Sequence, residues 1–351
     1  MKYAINGRFL TQRLTGVQRM EIELLKELDK LLLYEQNDIV IVAPSGYKKG
    51  VQLKNIRVVM FGKLKGIAWE QISFYHYLRK NDLIGINLGN VAPLLKPDIV
   101  CIHDVKFVKH PEWTRWKYVL WSRLHYWNAL TRGSKVLTVS NFSKKEIEEC
   151  YPKKRSQIYV LDEGWQHMRE MKSDPETLKK YELTRGEYYF SLYQIMPNKN
   201  FKWIIKAAEH NPNELFVVSG WHNKKMNISD IDSKDVKKFK NIKVLGYIKD
   251  EEMKFLLENC KAFIFPSVYE GFGLPPLEAL AVGAKVLVMD IPVMREVLGD
   301  SVQYIQNDNY SVEVDESIKA DNALERHSWE NGARKLMNVL DINISEDGEK
   351  L

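Results

Sequence analysis

Short apolar runs alternate with helical stretches along most of this 351-residue chain. Runs such as Ile39–Ala43 and Ala262–Phe265 are brief and rich in β-branched or aromatic residues, which predicts buried strands. Between such runs, apolar residues recur near every third or fourth position, as in Gly16–Leu33 and Glu70–Arg79, which predicts helices. Strands that alternate with helices form parallel sheets with right-handed crossovers. The predicted strands are Ile39–Ala43, Ile56–Phe61, Ile99–Ile102, Val136–Val139, Tyr188–Leu192, Leu215–Val218, Val244–Tyr247, Ala262–Phe265, Val286–Met289 and Val302–Ile305.

These strands fall into two sets that are joined near residues 160–185. A chain of 351 residues is long enough for two domains of ordinary size. We therefore predict two doubly wound, Rossmann-like α/β domains that face an interdomain cleft, one over residues 1–165 and one over residues 166–328. In the first domain, Ser143 with Glu146 three residues later predicts a capping box at the start of a helix.

The composition indicates a folded, intracellular protein. Hydrophobic residues make up 45% and charged residues 28% of the chain, which is typical of a well-packed globular protein. The three cysteines, Cys101, Cys150 and Cys260, lie far apart, so they fit neither a disulfide framework nor a metal site and indicate a reducing compartment. The sequence shows neither a signal-peptide pattern nor a run of roughly 20 apolar residues that could span a membrane. We predict a cytoplasmic protein, and a peripheral position at the inner face of the plasma membrane stays open.

Positive charge is concentrated in the first half of the chain. Residues 1–170 hold 28 Lys and Arg against 17 Asp and Glu, whereas the remainder holds 24 against 29. This asymmetry predicts that the first half meets an anionic partner, such as a phospholipid surface or a diphosphate-bearing acceptor. Nucleic acid fits less well, because the basic residues are scattered and no recognised nucleic-acid-binding motif is present.

The segment after the predicted strand Ala262–Phe265 carries the strongest functional signal. A glycine-bearing turn, EGFG, follows the strand, and two prolines then open a helix, where the missing N–H of proline costs nothing. Glu270 is thus expected at the carboxyl end of a strand, where open α/β sheets bind ligands, and Glu278 about one turn into the helix. The glycines and the helix N-terminus suit an anion. Two carboxylates beside an anion site predict a phosphorylated, hydroxyl-rich ligand, although two solvated glutamates would leave the same pattern.

Residues 266–283, PSVYEGFGLPPLEALAVG, resemble the Glu-x7-Glu signature of the retaining, GT-B-fold glycosyltransferases of family 4. The resemblance is strongest over residues 186–305 and weaker over residues 1–165. It implies a GT-B fold and the metal-independent transfer of a sugar, with retention, from a nucleotide-sugar donor to a hydroxyl of a saccharide acceptor in surface polysaccharide or glycoconjugate synthesis. It also implies that a helix within residues 329–351 crosses back to the first domain. No cofactor is expected beyond the nucleotide-sugar donor itself.

The resemblance implies a role for each donor-site residue. Glu278 would bind the ribose hydroxyls, because a carboxylate accepts two hydrogen bonds from a vicinal diol, and Glu270 would face the transferred sugar. Glu270 is expected to position the donor and stabilise charge rather than attack the sugar, because this family has no firmly assigned enzymic nucleophile. The residues expected to border the sugar, the phosphate or the base are Phe272, Gly273, Leu274, Ser219, Gly220 and Tyr247.

Residues 186–200, GEYYFSLYQIMPNKN, predict a strand, a loop that contains Lys199, and the start of a helix. A lysine near the carboxyl edge of a sheet can neutralise a departing diphosphate. The segment resembles the strand-loop element of the same family, in which a basic residue precedes a Lys-Asn or Lys-Gly pair. Gln194 replaces the arginine commonly found at that earlier position, so the implied diphosphate site depends on Lys199. A solvated surface lysine is the alternative.

Five positions in the first half resemble the acceptor or phosphate loops of the family. Gly16 and Arg19 lie at the entrance of a predicted helix, like the glycine-bearing loop of the family. His103 and Asp104 end a predicted strand, VCIHD, and the resemblance places this histidine, a side chain that titrates near neutrality, close to the transferred sugar. Ser140 lies in TVSNFSK, which also matches the family. The alternative for each position is an ordinary structural role. The candidate catalytic residues are Glu270, His103 and Lys199.

Two further segments leave alternatives open. Trp113–Trp127 carries four tryptophans among basic residues, which suits either a lipid headgroup boundary, and so a polyprenyl-diphosphate-linked acceptor, or an ordinary packed helix. Asp230 and Asp232 form an Asp-x-Asp pair that could hold Mg²⁺ or Mn²⁺, but the polar surroundings favour a loop, and we predict no metal. The alternatives to a transferase are a non-catalytic nucleotide-sugar or lipid-surface binding protein and another GT-B enzyme such as a nucleotide-sugar epimerase.

Overall fold

The computed structural model describes residues 2–32, 39–47, 51–194, 196–221 and 238–342, with the backbone alone at positions 193, 194, 221 and 321. The chain forms two compact units, each with its own parallel sheet. The first unit holds the described residues of Met1–Lys109, Lys117–Glu163 and Trp329–Leu351. The second unit holds those of His110–Trp116 and Gly164–Ser328.

The sheet of the first unit contains seven parallel strands: β1 Tyr3–Asn6, β2 Ile39–Ala43, β3 Arg57–Met60, β4 Ile84–Asn87, β5 Ile99–Cys101, β6 Lys135–Thr138 and β7 Gln157–Val160. Their order is β3-β2-β1-β4-β5-β6-β7, so the order reverses between β1 and β4. Both neighbours pair with β1 in parallel, with Tyr3 opposite Ile39 on one side and Ile84 on the other. Every residue of β2 is buried, which explains its uninterrupted apolar sequence.

Helices cover this first sheet. The α1 helix presents Met20, Leu24 and Leu28 to the core at helical spacing. A 3-10 turn, Gly7–Thr11, follows β1 directly. The helices in the first part of this unit are α1 Gly16–Leu31, α2 over residues 66–80, α3 Lys106–Lys109, α4 Trp116–Arg132 and α5 Asn141–Cys150. The α2 helix consists of three consecutive segments, Gly66–Ala68, Trp69–Phe74 and Tyr75–Lys80, and the middle segment is π-helical. The first residue of α4, Trp116, belongs to the second unit, and the rest of the helix belongs to the first.

The sheet of the second unit repeats the same topology with six parallel strands: β8 Tyr188–Gln194, β9 Leu215–Trp221, β10 Ile242–Gly246, β11 Ala262–Phe265, β12 Val286–Met289 and β13 Gln303–Ile305. Their order is β10-β9-β8-β11-β12-β13, so the reversal falls between β8 and β11. The core includes Trp203, Phe216 and Ile264. Its helices are α6 His167–Glu170, α7 Thr177–Lys180, α8 Phe201–His210, α9 Asp250–Asn259, α10 Leu274–Ala281, α11 Pro292–Leu298 and α12 Asp321–Arg326.

One short segment from the first half of the chain, His110–Trp116, belongs to the second unit. The rings of His110 and Trp113 stack with their centres 3.8 Å apart, and Tyr269 meets them edge-on at 5.7 and 6.2 Å. The sequence analysis placed this segment in a first domain of residues 1–165. The aromatic contacts explain why it is part of the second unit instead.

The helix α13, Trp329–Val339, follows the second unit in the chain but packs on α1 in the first unit. Gly332 permits a close approach of α13 to the chain after β7, because a Cβ at that position would clash with the carbonyl of Asp162. Past the helix, the Tyr3 hydroxyl donates to the Leu340 carbonyl at 2.6 Å. These contacts attach the C-terminal part of the described chain to β1 and α1.

The predicted strands are confirmed, and three further strands, β1, β4 and β7, were not predicted. The least accurate prediction is Val244–Tyr247, because β10 begins and ends earlier, at Ile242 and Gly246. The predicted capping box is wrong. Ser140 caps α5 by accepting from the Ser143 N–H at 2.9 Å, while the Ser143 hydroxyl donates to the His103 carbonyl. Within the described ranges, no helix combines the length and the apolar character needed to cross a membrane.

Candidate functional site

The candidate donor site lies at the carboxyl edge of the second sheet, where the strand order reverses between β8 and β11. The loop after β8 carries Lys199, and the loop after β11 carries Glu270. Because β8 and β11 are paired neighbours, these loops meet although the two residues are 71 positions apart. Open α/β sheets bind ligands at such a reversal.

Lys199 and Glu270 form a partly buried ion pair. Lys199 Nζ donates to Glu270 Oε1 at 2.6 Å, and the two side chains are 17% and 15% exposed. Lys199 Nζ also lies 4.9 Å from the centre of the Phe265 ring at the end of β11. A 3-10 turn, Pro197–Lys199, and Asn200 with a φ of 48° connect β8 to α8 and set the direction of the lysine. The pair therefore offers one cation and one carboxylate at the sheet edge.

Asn198 joins the two loops and was not singled out in the sequence. Its Nδ2 donates to the Tyr269 carbonyl at 3.0 Å, and its own carbonyl accepts from the Val268 N–H at 2.8 Å. The residue is 1% exposed. Among the described residues, Asn198 Oδ1 and Ser267 Oγ are buried without a hydrogen-bond partner. Asn198 thus holds the residues that precede Glu270 against the turn that carries Lys199. The sequence signal that could have identified it is the turn-forming run PNKN.

Gly273 caps α10 in a conformation that favours glycine. Its φ is 106°, and a Cβ there would lie 2.5 Å from Met294 Cε. The helix then begins with Leu274 and two prolines, so the N–H groups that remain at this terminus are those of Phe272, Gly273 and Leu274. The ring of Phe272 is buried and meets the His327 ring edge-on at 5.2 Å. Phe272 can therefore serve a ligand through its backbone amide, while its side chain packs in the core.

Glu278 is buried on α10 and hydrogen-bonded to His167. The atoms His167 Nε2 and Glu278 Oε1 are 2.9 Å apart, and the side chains are 3% and 8% exposed. The histidine lies on α6 and had no role in the sequence analysis. An ionised carboxylate accepts only, so this contact assigns the donor to His167 Nε2. The bond compensates part of the cost of burying a carboxylate.

The remaining predicted donor residues differ in exposure. The Ser219 hydroxyl donates to the Gly246 carbonyl at 3.0 Å and is buried, so it joins β9 to β10. Gly220 continues β9 beside Tyr193 of β8. Tyr247 follows β10 and is 62% exposed. The backbone of Gln194 ends β8, and its side chain lies outside the described part of the chain.

His103 lies at the carboxyl end of the first sheet and is buried. Its Nε2 is 2.7 Å from the Leu88 carbonyl, and its backbone N–H donates to Asn90 Oδ1 at 2.8 Å. Burial lowers the pKa of the imidazole, so the neutral form prevails at neutral pH. Asp104 pairs with Lys106 at 3.2 Å. His103 is thus held by its neighbours in the first unit, and its carbonyl is held by the helix that Ser140 caps.

Gly16 and Arg19 begin α1. A Cβ at Gly16 would meet no atom within 4 Å, so packing does not require glycine there. Arg19 lies 3.8 Å from Glu23, one turn further along the helix, and its side chain is 13% exposed. This ion pair aligns the guanidinium with the helix.

A polar cluster at the reversal between β1 and β4 was not predicted. Asn6 Nδ2 donates to both Glu70 Oε2 and Asn87 Oδ1 at 3.0 Å, and Arg8 Nε is 3.3 Å from the same glutamate oxygen. Burial raises the pKa of the Glu70 carboxyl, and the Arg8 charge opposes that rise. Burial also raises the pKa of Glu21 well above its ordinary range, and Arg8 again acts in the opposite direction. Recognition of β1 in the sequence would have drawn attention to Arg8, because it follows a strand end.

The Trp113–Trp127 segment combines a buried and an exposed helix face. Val119, Ser122 and Tyr126 of α4 face the core. The opposite face carries large apolar side chains at a helical spacing of four, four and three residues. Their exposures are 67% for Trp116, 54% for Leu120, 44% for Leu124 and 52% for Trp127.

The described residues contain no group of three or more His, Cys, Asp or Glu side chains arranged to hold a metal ion. Asp230 and Asp232, the Asp-x-Asp pair of the sequence, lie outside the described residues.

Comparisons with known proteins agree with this architecture. Residues 174–335 match the family model described as Glycosyl transferases group 1. The O-antigen chain mannosyltransferase B of Escherichia coli is 25% identical over 315 residues, which cover 82% of each chain. The O-antigen chain mannosyltransferase RfbU of Salmonella typhimurium is 28% identical over 258 residues, which cover 70% of this chain and 69% of the relative.

Solved structures share the fold at low sequence identity. HepE from Anabaena, in complex with UDP and glucose, has a TM-score of 0.70 and 14% identity, and the match covers 97% of this chain and 99% of that one. Sucrose-phosphate synthase from Thermosynechococcus elongatus has a TM-score of 0.66 and 13% identity, with 96% and 94% covered. The predicted GT-B fold is confirmed. Together the comparisons support a glycosyltransferase with the GT-B fold, and the similarity to the Glycosyl transferases group 1 model covers residues 174–335.

Proposed function

We propose that this protein transfers a mannosyl residue, with retention of anomeric configuration and without a metal ion, from a nucleotide donor to a saccharide acceptor in surface polysaccharide synthesis. The observation that carries the proposal is the Lys199–Glu270 ion pair at the strand reversal of the second sheet. The buried Glu278 on the helix that follows supplies a second carboxylate. The names of the two O-antigen mannosyltransferases support mannose and polysaccharide synthesis, and HepE, solved with UDP and glucose, supports a nucleotide-linked donor.

The chemistry follows from the charges at the site. The bond that breaks joins the sugar C1 to the diphosphate oxygen, and the bond that forms joins C1 to the acceptor oxygen on the same face. Lys199 and the amides that begin α10 neutralise the departing diphosphate. Glu270 hydrogen-bonds the transferred sugar and stabilises the positive charge that develops at C1. The leaving phosphate oxygen takes the acceptor proton, so no enzymic nucleophile is required.

The test is a transfer assay with GDP-mannose and UDP-glucose, in the presence and absence of EDTA, on a polyprenyl-diphosphate-linked sugar. We expect transfer from GDP-mannose and not from UDP-glucose, no inhibition by EDTA, and an NMR spectrum of the product that shows the anomeric configuration of the donor. Glu270→Ala should lower kcat by at least about 100-fold, because it removes a charge-stabilising group. Lys199→Ala should weaken binding of the donor diphosphate.

Lys261→Ala is the matched control. Lys261 forms an ion pair with Glu214 at the same distance, 2.6 Å, but at the amino end of β11, away from the candidate site. The Lys261→Ala variant should leave transfer unchanged. Near-normal turnover by folded Glu270→Ala would contradict the assignment of the site, and binding of donor without any transfer or hydrolysis would favour a non-catalytic binding protein.

We also propose that the exposed face of α4 contacts an anionic membrane surface, where a lipid-linked acceptor would be presented. Leu120, Leu124 and Trp127 form an apolar stripe, and Lys117 and Arg123 lie exposed on the same helix. Apolar side chains next to cationic ones match the boundary between acyl chains and anionic headgroups.

Co-sedimentation with phosphatidylglycerol-containing vesicles tests this contact. The double variant Leu120→Ser with Leu124→Ser should bind the vesicles at least about tenfold more weakly, because two apolar side chains no longer enter the interface. Leu95→Ser, at another apolar side chain of the first unit that is 66% exposed, is the control and should bind normally. Equal binding by the double variant and the control would exclude the α4 face.

A further inference from the structure

The contact between His167 and Glu278 connects a short helix to the signature helix of the second unit. His167 begins α6, and its ring nitrogen lies 2.9 Å from the carboxylate on α10, 111 positions later in the chain. Both side chains are almost entirely buried. Two hydrogen bonds fix the residues just before the histidine. Trp165 Nε1 donates to the Leu324 carbonyl at 2.8 Å, and Gln166 Nε2 donates to the His327 carbonyl at 3.2 Å.

Only one oxygen of the carboxylate is used in this contact. Glu278 Oε1 accepts from the imidazole, and Oε2 has no hydrogen-bond partner among the described residues. The side chain retains 8% exposure, so it is not wholly enclosed. A buried carboxylate with one hydrogen-bonded oxygen is held in one plane, because the two oxygens are equivalent and any rotation short of a half-turn would break the only hydrogen bond.

We infer that His167 is a positioning residue that holds Glu278 in the orientation that accepts hydrogen bonds from the ribose hydroxyls of the nucleotide donor. The inference rests on the proposed function, since it needs Glu278 to face the ribose. His167 does not touch the substrate itself. It fixes Oε1 and so directs the remaining acceptor capacity of the carboxylate toward the ligand.

The experiment measures the affinity of GDP, UDP and their 2′-deoxy counterparts by calorimetry, with the wild type and three variants. In the wild type, loss of the 2′-hydroxyl should weaken binding about tenfold, because a buried carboxylate oxygen is left without its donor. Glu278→Gln should bind the ribo and deoxy nucleotides almost equally. His167→Phe, which fills the space but cannot donate, should lose the same discrimination while it binds the deoxy nucleotide like the wild type. His167→Gln, which keeps an N–H donor, should restore part of the discrimination.

The outcomes separate this inference from the proposed function. If Glu278→Gln loses the discrimination but folded His167→Phe keeps it, the positioning role is wrong and the ribose contact stands. If His167→Phe lowers the affinity for the ribo and the deoxy nucleotides by the same factor, the histidine is only structural and the inference is overturned. If the wild type does not discriminate, or Glu278→Gln discriminates fully, the ribose contact fails and the inference fails with it. If none of the four nucleotides binds, the proposed function itself is contradicted.

Discussion

His125 should make the stability of the first unit depend on pH. The side chain is buried on α4, its ring lies 4.1 Å from that of Trp121, and its Nε2 has no hydrogen-bond partner among the described residues. Burial, and to a smaller extent the charge of Arg8, lower the pKa of the imidazole to about 4, while a hydrogen bond to the Ala92 backbone acts against this. The histidine is therefore neutral in the folded protein across a pH range in which it is protonated in the unfolded chain.

The sign and the size of the effect follow from these pKa values. Between the unfolded pKa of roughly 6.5 and the folded pKa, the unfolded chain binds one more proton, so the free energy of unfolding falls as the pH falls. The stabilising effect is complete above pH 6.5 or so and is lost on the way to pH 4. Between pH 7 and pH 4.5 this single group should remove about 2 kcal/mol. His103 acts in the same direction, because burial also lowers its pKa. Glu21 and Glu70, whose pKa values are raised, act in the opposite direction.

The assay compares urea unfolding at pH 7 and pH 4.5 for the wild type and His125→Asn, so that the contributions of other groups cancel. The variant should lose about 2 kcal/mol less on acidification than the wild type does. Ala129→Gly, which weakens the same buried helix without a titratable group, is the control and should keep the pH dependence of the wild type. The reasoning is refuted if His125→Asn and the wild type lose equal stability between the two pH values.

Three further substitutions test the local geometry. Asn198→Ala should cost about 1–3 kcal/mol of stability and raise KM for the donor, because it releases the loop that carries the first signature glutamate; unchanged KM and Tm would contradict the role of its hydrogen bonds. Gly273→Ala should cost about 1–2 kcal/mol for the positive φ alone, and more for the contact with Met294; a Tm equal to that of the wild type would exclude the cap conformation. Gly332→Ala should cost about 1–3 kcal/mol, since its Cβ would meet the carbonyl of Asp162; an unchanged free energy of unfolding in denaturant would contradict this close packing of α13 against the chain after β7.

The strands were predictable where burial is two-sided, and less so elsewhere. β2 and β11 are apolar at every position, so composition alone identifies them. β1 and β4 each end in an asparagine whose side chain is used in the polar cluster of the first unit, and this polar residue hides a short strand. β7 carries polar residues because it lies at the edge of the sheet, with only β6 beside it. The hydrophobic pattern of the sequence therefore identifies strands that are buried on both faces, and it misses short strands that carry polar residues.

The candidate site was predictable in its loops but not in its supporting contacts. Lys199 and Glu270 stand out because each follows an apolar strand, and Gly273 because a tight turn needs glycine. His167 and Asn198 are recognisable only once distant parts of the chain are brought together, since their partners are 111 and 71 positions away. Local periodicity contains no information about such pairs. The cap of α5 was predicted three residues too late, again because the deciding contact is distant in sequence. Ser140 and Ser143 are both suitable capping residues, but the Ser143 hydroxyl donates its hydrogen bond to the His103 carbonyl instead.

The position of α13 affects the order in which the protein can be made. A ribosome synthesises this helix only after every strand of the second unit, yet its partners α1 and β1 are among the first elements to emerge. Until then, the face of α1 that meets α13 is uncovered, and the Tyr3 hydroxyl lacks the carbonyl of Leu340. The strands of the second unit are all made before α13, whereas the first unit stays incomplete until α13 has been made, with apolar surface open to chaperones. A nascent chain released before Trp329 would therefore fail in its first unit, although every strand of both sheets would already be present.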